Sequence, residues 1–549
     1  MMAWNFLKKA AGSLKNPKFR ASIHALGLGL GLFLGGCADQ RAVHGPDAVP
    51  ATREDFMEVL TVGYNSISRK YIRPISVADF AFEGLRGLSG IDPMLAVIRS
   101  SERVTLIHEG VPVRAFETPK PEDVMGWVDL SVSLIKEAKA LSGQLRQAPS
   151  EVVFEALFDG ALSNLDIFSR YAGRDEAREN RARRDGFGGI GIKFRKRGRK
   201  IVVTEVMEDG PAETAGLRVG DIITHVGDMD IGGMAARDIA RRLRGPIDSA
   251  VSVTLKRGKT GELADISMVR SHIIPKTVFT SYDNGVLMAL VTNYNQNTTR
   301  ALRKAIVDVA TREGPAFKGL ILDLRGNPGG LLLQSIKMAD LFLTEGEIVS
   351  TRGRHRDTFQ HYTAHGRDII ENRPVVVLID GKSASSAEVT ATTLQDRKRA
   401  VVLGTTSFGK GSVQTVVRLP NSGEMTLTWS HLIAPSGYDF HGLGLLPSFC
   451  TSGIEARLNK ADRAALADNK TRAKTLNRIV ERARTRLAAR EWRLPGIDDT
   501  ARRGDLRAIC PPERRENRDV DAQLARHVIA DPSLYAHAIG KASATASAR

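Results

Sequence analysis

The sequence predicts a multidomain α/β protein: a helical N-terminal region, a β-rich domain, an α/β core and a basic C-terminal extension. Three observations predict it. At 549 residues the chain has room for about three domains, each with its own core. The apolar pattern changes period twice. Helical spacing gives way to short glycine-bounded strands near Gly186, and from Ile273 to buried apolar runs alternating with helices. After Cys450 the apolar clusters thin out and basic residues outnumber acidic ones. The boundaries fall at 1–37, 38–185, 186–272, 273–450 and 451–549.

Residues 1–37 read as a leader. Lys8, Lys9, Lys15, Lys18 and Arg20 precede an apolar stretch at 25–34, followed by Gly35-Gly36-Cys37. That order is a signal peptide, and the apolar run is short for a bilayer. Leu34-Gly35-Gly36-Cys37 resembles a bacterial lipobox, which would make Cys37 the lipidated first residue; cleavage without lipid is the alternative. By resemblance to lipoproteins of double-membraned bacteria, Ala38 points to the outer membrane. The expected location is therefore the periplasm, with a membrane contact through a lipid anchor. Of the other cysteines, Cys450 and Cys510 could pair in an oxidising compartment or stay as free thiols. The net charge is +17, with 42% hydrophobic and 26% charged residues. No nucleic-acid module accompanies that charge, so the basic residues read as solvated faces and nucleic acid is excluded as a partner.

Along 38–185, Phe56, Val59, Leu60, Val62 and Tyr64 give helical spacing. The segments 82–92 and 154–166 look alike, each a short apolar helix ending in a small-residue turn and an aspartate. They are a weak repeat or a chance likeness of amphipathic helices. Residues 104–116 read as a hairpin, 121–145 as a helix, and the charged, aromatic-free run 174–184 as a linker.

The β-rich domain opens with Gly186-Phe-Gly-Gly-Ile-Gly-Ile-Lys-Phe194. Gly188, Gly189 and Gly191, with Ile190 between them, leave backbone N–H groups unobstructed beside a strand edge. Such a loop holds a peptide carboxylate while the edge takes the peptide as an added strand. The loop, the long run from Gly210 to Ile223 and the strand at 251–256 resemble a PDZ domain.

In the core, strands at 285–291, 320–324, 374–379 and 400–403 alternate with helices at 297–310, 332–342 and 387–395. This indicates a sheet covered on both faces, with chemistry at the strand-end turns. Two turns stand out: Arg325-Gly-Asn-Pro-Gly-Gly330, and Asp380-Gly-Lys-Ser-Ala-Ser385. Three serines, Ser383, Ser385 and Ser386, precede a helix, and Lys410 follows between two glycines. A serine needs a base to become a nucleophile, and a desolvated lysine, neutral because burial disfavours its charge, can be that base. Gln414, four residues on, would share a strand face with Lys410 and orient its amine. Gly404-Thr-Thr-Ser-Phe-Gly-Lys-Gly411 mimics a phosphate-binding loop, but Gly411 stands where a Ser or Thr must hold magnesium. A Ser-His-Asp mechanism is the rival, with His431 and His441 as candidates among 12 histidines. No His/Cys/Glu cluster has metal spacing, so neither a metal nor another cofactor is expected.

Ser383-Ala-Ser-Ser-Ala-Glu388, Leu394-Gln-Asp396 and Gly409-Lys-Gly-Ser-Val-Gln414 resemble the carboxyl-terminal processing (tail-specific) proteases, serine peptidase family S41. The resemblance covers roughly residues 50–450. It implies a PDZ domain ahead of an α/β protease core of the ClpP/crotonase-like kind. It also implies a Ser–Lys dyad supported by glutamine. The family nucleophile lies three residues before the glutamate and 25 before the lysine, which selects Ser385 over Ser383 and Ser386. The oxyanion donors would be the backbone N–H groups of Ser386 and of Gly330, or of Gly329 beside it. The family's usual Ser-Ala-Ser-Ala-Ser-Glu is Ser-Ala-Ser-Ser-Ala-Glu here, which puts an extra hydroxyl next to the nucleophile. The expected partners are protein substrates with free apolar C-termini, with an adaptor or a homo-oligomer as further options. The expected activity is endopeptidase cleavage near those termini. A PDZ-bearing scaffold on a degenerate protease fold is the alternative. The extension after Cys450 reads as a solvated tail, with a basic surface helix or a partner-docking tail as the alternatives; helices are expected around 472–490 and disorder over 541–549.

Overall fold

The structure, a computed structural model, describes residues 51–258, 260–484, 500–515 and 519–540. The leader with Cys37, the stretch 541–549 and the end of the helix expected over 472–490 lie outside the described residues.

In the N-terminal region, Thr52 caps the helix Arg53–Lys70 and Asp55 returns the bond, so two orphan N–H groups are satisfied. The two look-alike segments are packing partners. Helix Val77–Arg86, with its 3-10 extension, crosses helix Ser150–Leu162 through glycines. A Cβ on Gly87 would lie 2.0 Å from the Ala156 carbonyl oxygen, and one on Gly160 2.4 Å from that of Glu83. The expected hairpin is Arg103–His108 with Val111–Glu117, extended by a strand at Leu95–Arg99 that the sequence reading did not anticipate.

The run read as a linker is instead a helix, Arg174–Asp185. It has almost no apolar face, which hid it from a periodicity search. Its stability comes from charge order: Asp175 and Glu176 in the first turn, Arg183 and Arg184 in the last, matching the helix dipole. Arg181 and Arg184 also reach Glu424, a carboxylate buried to 2% exposure, at 2.9 and 3.0 Å. Gly186, at φ 88°, ends the helix and opens the β-rich segment.

The sheet of this segment runs Leu263–Val269, Ala250–Lys256, Ile222–Val226, Lys200–Val206 and Ile192–Arg197 in spatial order, in keeping with the expected PDZ-like domain. Ile192–Arg197 is an edge, paired on one side alone. Helix Ala236–Leu243 buries Ile239 and Leu243 against the sheet.

The core sheet has six strands in the order Val278–Asp283, Val286–Val291, Gly319–Asp323, Val375–Ile379, Val401–Gly404 and Phe449–Cys450. The first pair is antiparallel and the rest are parallel. Side chains alternate between its faces. Leu320, Leu322, Val375, Val377 and Val402 pack under helices Thr298–Glu313, Leu332–Asp340 and Ser386–Asp396. Ile321, Val376, Leu378, Val401 and Leu403 face the other way, and the C-terminal extension covers them. That corrects the solvated-tail reading for the described part of the extension. Leu476, Ile479 and Val480 on helix Arg472–Ala483, and Leu524, Val528 and Ile529 on helix Asp519–Ala530, form apolar stripes at helical spacing. Cys450 and Cys510 are disulfide-bonded, with Cα atoms 5.8 Å apart, tying the extension to the last sheet strand.

A second sheet holds Gln360–Thr363, Glu347–Gly353, Glu424–Ile433 and Ser412–Arg418, with the short strand Arg170–Ala172 also paired to Glu424–Ile433. Val417, Leu419, Met425 and Leu427 join the core of the N-terminal helices, so that region and this sheet are one packed unit.

Candidate active site

Three neighbouring parallel strands, Gly319–Asp323, Val375–Ile379 and Val401–Gly404, send their C-terminal ends to one place. The turns that follow them carry Gly329–Gly330, Ser385 and Lys410 respectively. Ser385 sits between strand and helix at φ 55° and ψ −117°, a conformation costing a non-glycine residue about 1–3 kcal/mol. The turn holds it there. The Ser385 N–H donates to Glu388 Oε2 at 2.7 Å, and Ala384 N–H donates to the Asn327 carbonyl at 2.9 Å.

The other two serines anchor the turn. Ser383 Oγ, fully buried, donates to the Leu324 carbonyl and accepts from the Asp380 N–H, each at 2.9 Å. Ser386 Oγ turns away from the solvent side and donates to the Gly330 carbonyl at 3.0 Å. The unusual hydroxyl therefore ties the glycine turn to the start of the helix. Gly329 lies directly against the serine: a Cβ there would be 2.8 Å from Ser385 Cβ and 3.0 Å from Ser386 N. Among the described residues, the N–H groups of Gly330 and Ser386 make no hydrogen bond.

Glu388 was only a spacing mark in the sequence. In the structure its fully buried carboxylate joins the two halves of the site. Oε2 accepts from the backbone N–H of Ser385 and of Lys410 (2.8 Å), and Oε1 accepts from the N–H of Gly409 (2.7 Å) and from Ser407 Oγ. Burial pushes its pKa up, and the four donors work against that push.

Lys410 has a lowered pKa, first because it is buried and second because Arg170 is near; Glu388 and Asp166 oppose this. Its Nζ lies over the Phe168 ring, 4.8 Å from the centroid. Among the described residues it makes no hydrogen bond to Ser385 or Gln414. The expected geometry for Gln414 needs correction. Lys410 precedes the strand Ser412–Arg418, and a bulge between Val413 and Gln414 shifts the register, so the two do not share a strand face. Gln414 Nε2 donates instead to Ser412 Oγ (2.9 Å) and Thr428 Oγ1 (3.3 Å). Thr428 Oγ1 in turn donates to Asp166 at 3.0 Å. Asp166, Phe168 and Arg170 were missed as site residues. They come from the N-terminal region, and no local spacing connects them to Lys410.

Beneath the turns lies a buried ionic clamp. Arg325, 0% exposed at its side chain, pairs with Asp323 (2.8 Å) and with Asp521 of the extension (3.1 Å). Arg515 Nε lies 3.3 Å from the same Asp521 oxygen. Asp380 accepts from Gly326 N–H on one oxygen and from Arg515 N–H on the other. The extension thus braces both the glycine turn and the serine turn.

His431 bonds Asp439 at 2.6 Å and its ring packs against His441, but neither histidine hydrogen-bonds Ser385 among the described residues. No group of three or more His, Cys, Asp or Glu among the described residues is placed to hold a metal ion.

Comparison with known proteins gives the same outline. Peptidase family S41 matches residues 286–450 and a PDZ domain matches 202–257. A carboxy-terminal-processing protease of Bartonella bacilliformis is 36% identical over 297 residues, covering 54% of this chain and 68% of the relative. The chain belongs to peptidase family S41. More precisely, it belongs with the carboxy-terminal-processing serine proteases that carry a PDZ domain. A Staphylococcus haemolyticus protein named "Probable CtpA-like serine protease" is 31% identical, and the match spans 53% of this S41 protease and 59% of that relative. Among solved structures, the photosystem II D1 C-terminal processing protease is 23% identical, with 73% of this chain and 92% of that one covered and a TM-score of 0.37. For the S41 protease described here, the structure brings Ser385, Ser386, Gly330 and the Lys410 backbone together. The Lys410 amine lies over the Phe168 ring, and the Gln414 amide is bonded to Ser412 and Thr428.

Proposed function

We propose that this S41 protease is a serine endopeptidase of the cell envelope that cuts exported proteins near their C-termini, with Ser385 as nucleophile and Lys410 as base. The observation that carries the reading is the Glu388 carboxylate, one oxygen of which accepts from the backbone N–H of both residues. Lys410, made less basic by burial, takes the Ser385 proton as Oγ attacks the peptide carbonyl. The unpaired N–H groups of Gly330 and Ser386 receive the oxyanion. The lysine ammonium then protonates the leaving amine, and a water deprotonated by Lys410 hydrolyses the acyl ester. Substrate binding draws Nζ from the Phe168 face towards Oγ, since catalytic hydrogen bonds commonly tighten in the bound complex. With its nitrogen engaged, Gln414 has Oε1 left to accept from the lysine.

Gly188 and Gly189 are paired with His272 and Ser271 rather than unobstructed, so the Ile190–Gly191 end of the loop captures a free apolar C-terminus, which pairs along the edge strand Ile192–Arg197. The Cys450–Cys510 bridge suits an oxidising periplasm. Cys37 would anchor the mature protein to the outer membrane through lipid. No described helix is long and apolar enough to cross a membrane.

The test is mass spectrometry of fragments from an apolar-tailed substrate, using wild type, Ser385→Ala and Lys410→Ala. Both variants should stop cleaving while still binding the tail. Cleavage by Ser385→Ala overturns the nucleophile. The second reading, a peptide-binding scaffold, is favoured by the absence of a Ser385–Lys410 hydrogen bond. It wins if wild type binds tails and never cuts.

A further inference from the structure

Beside the first glycine of the PDZ loop lies a cavity of about 760 Å³, walled by helix Arg174–Asp185 and helix Ala236–Leu243. Gly186, Phe187 and Gly188 form one end of it. Six arginines line it against two carboxylates, Asp175 and Glu179. On the PDZ helix, Arg237, Arg241 and Arg244 recur at positions i, i+4 and i+7, so they share one face. Asp175 lies 3.3 Å from Arg237 and 3.5 Å from Arg241, and Glu179 lies 3.3 Å from Arg237. Arg244 lies over the Phe187 ring at 4.1 Å and, among the described residues, has no carboxylate within ion-pair distance. Arg183 donates to the Asn180 amide oxygen. Arg181 is taken by Glu424 and Arg241 also meets Asp238 at 3.5 Å, so four acids serve the six arginines and a cationic excess remains. Those acids also show which chemistry the cavity accepts, a carboxylate shared between neighbouring guanidiniums.

The direction of the groove fixes where such a carboxylate would come from. Lys196 on the edge strand donates to the Met234 carbonyl, just before the PDZ helix, while Gly245, just after it, donates to the Gly188 carbonyl. Helix and edge strand therefore run antiparallel. A peptide added antiparallel to Ile192–Arg197 would have its C-terminus at the loop beside Arg244, and its upstream residues would run back along the helix that carries Arg241 and Arg237. Seven helical residues span roughly 10 Å, about three residues of extended chain.

We infer that this cavity reads acidic side chains: the tail taken by the protease carries Asp or Glu within about three residues upstream of its apolar terminal residue. This rests on the tail-capture reading above and adds charge specificity to it. The incoming carboxylates exchange with Asp175 and Glu179 for the same arginines.

The experiment uses full-length Ser385→Ala protein and dye-labelled ten-residue peptides: an acidic tail, its Gln/Asn counterpart, and the acidic tail with a C-terminal carboxamide. The acidic tail should bind roughly tenfold tighter than its amide counterpart at low salt, because each half-exposed ion pair contributes up to about fivefold. In Arg237→Gln/Arg241→Gln that preference should vanish while the neutral tail binds as before. Asp175→Asn/Glu179→Gln, which frees the arginines, should tighten the acidic tail alone. Equal binding of acidic and neutral tails, or a preference that survives loss of both arginines, overturns the inference. Binding that tolerates the carboxamide but still needs the acids sinks tail capture and leaves the charge reading standing. Failure of every peptide sinks both. Inorganic polyphosphate or phosphatidylglycerol vesicles that bind through these arginines where peptides do not would also overturn it, in favour of a non-peptide anion.

Discussion

The serine side and the lysine side of the site are held in different ways. Around Ser385, nearly every polar group has a fixed partner: Ser383, Asn327, Asp380 and Glu388 knit the turn to the sheet, and the C-terminal clamp braces it from below. Around Lys410, only the backbone is fixed, by Glu388. The amine rests on the Phe168 face among the opposed charges of Arg170, Asp166 and Glu388. The comparison teaches that Ser385 is placed by dense hydrogen bonding within the core. The surroundings of the Lys410 amine, Phe168, Arg170 and Asp166, come from another region of the chain. An adjustable amine beside a rigid serine suits a site that aligns when substrate arrives.

Breaking the shared carboxylate should have the largest effect. In Glu388→Gln one acceptor oxygen becomes an N–H₂ facing donors, leaving buried N–H groups unsatisfied. The expected loss is about 2–4 kcal/mol in denaturant unfolding, with at least ~100-fold lower peptidase activity. Activity within threefold of wild type would mean that the serine and lysine turns hold without it. Next is Asp521→Ala, which leaves Arg325 and Arg515 without their shared carboxylate. Unfolding free energy should fall by about 3 kcal/mol, with reduced kcat, because the clamp lies under the serine side. A stability loss with unchanged kcat would show that the clamp carries no positioning role.

Ser386→Ala removes one hydroxyl-to-carbonyl bond, worth about 1 kcal/mol. It should lower kcat a few-fold by loosening the Gly329–Gly330 turn, with little change in KM. The smallest effect belongs to the lysine side. Arg170 disfavours the charged form of Lys410, so Arg170→Gln should raise the lysine pKa. A base must be neutral to act, so the acid limb of the pH–kcat/KM profile should move to higher pH, and salt should reduce the shift. A limb that moves to lower pH, or stays in place at low salt, would rule out Arg170 as a tuning charge.

Much of the fold and part of the site were legible in the sequence. The strands Gly319–Asp323, Val375–Ile379 and Val401–Gly404 are apolar runs whose residues must be buried on both faces, so both the sheet and its covered state could be read. What covers the second face could not. The stripes at Leu476–Val480 and Leu524–Ile529 are short and sit in basic sequence, and only contact with Ile321, Val376 and Leu403 shows their purpose. The helix Arg174–Asp185 was missed because ion pairs, rather than apolar spacing, hold it. Gln414 was misplaced because one bulge inverts strand alternation, and a bulge leaves no mark in residue types.

The sequence by itself carried the PDZ-then-protease order and the glycine turns, and the family resemblance supplied the spacing by which Ser385 is proposed over Ser383 and Ser386. Those depend on local chain geometry and on spacing within one stretch. Only the tertiary structure decided the roles of the rest. Ser383 and Ser386 became anchors, Glu388 became the link between serine and lysine, and Asp166, Phe168 and Arg170 became the surroundings of the amine. The physical reason is that a hydrogen bond or a desolvated charge acts over a few ångströms of space, whatever the distance along the chain. A lysine's pKa is set by what is packed around it, and Asp166, Phe168 and Arg170 reach Lys410 from a region far earlier in the chain.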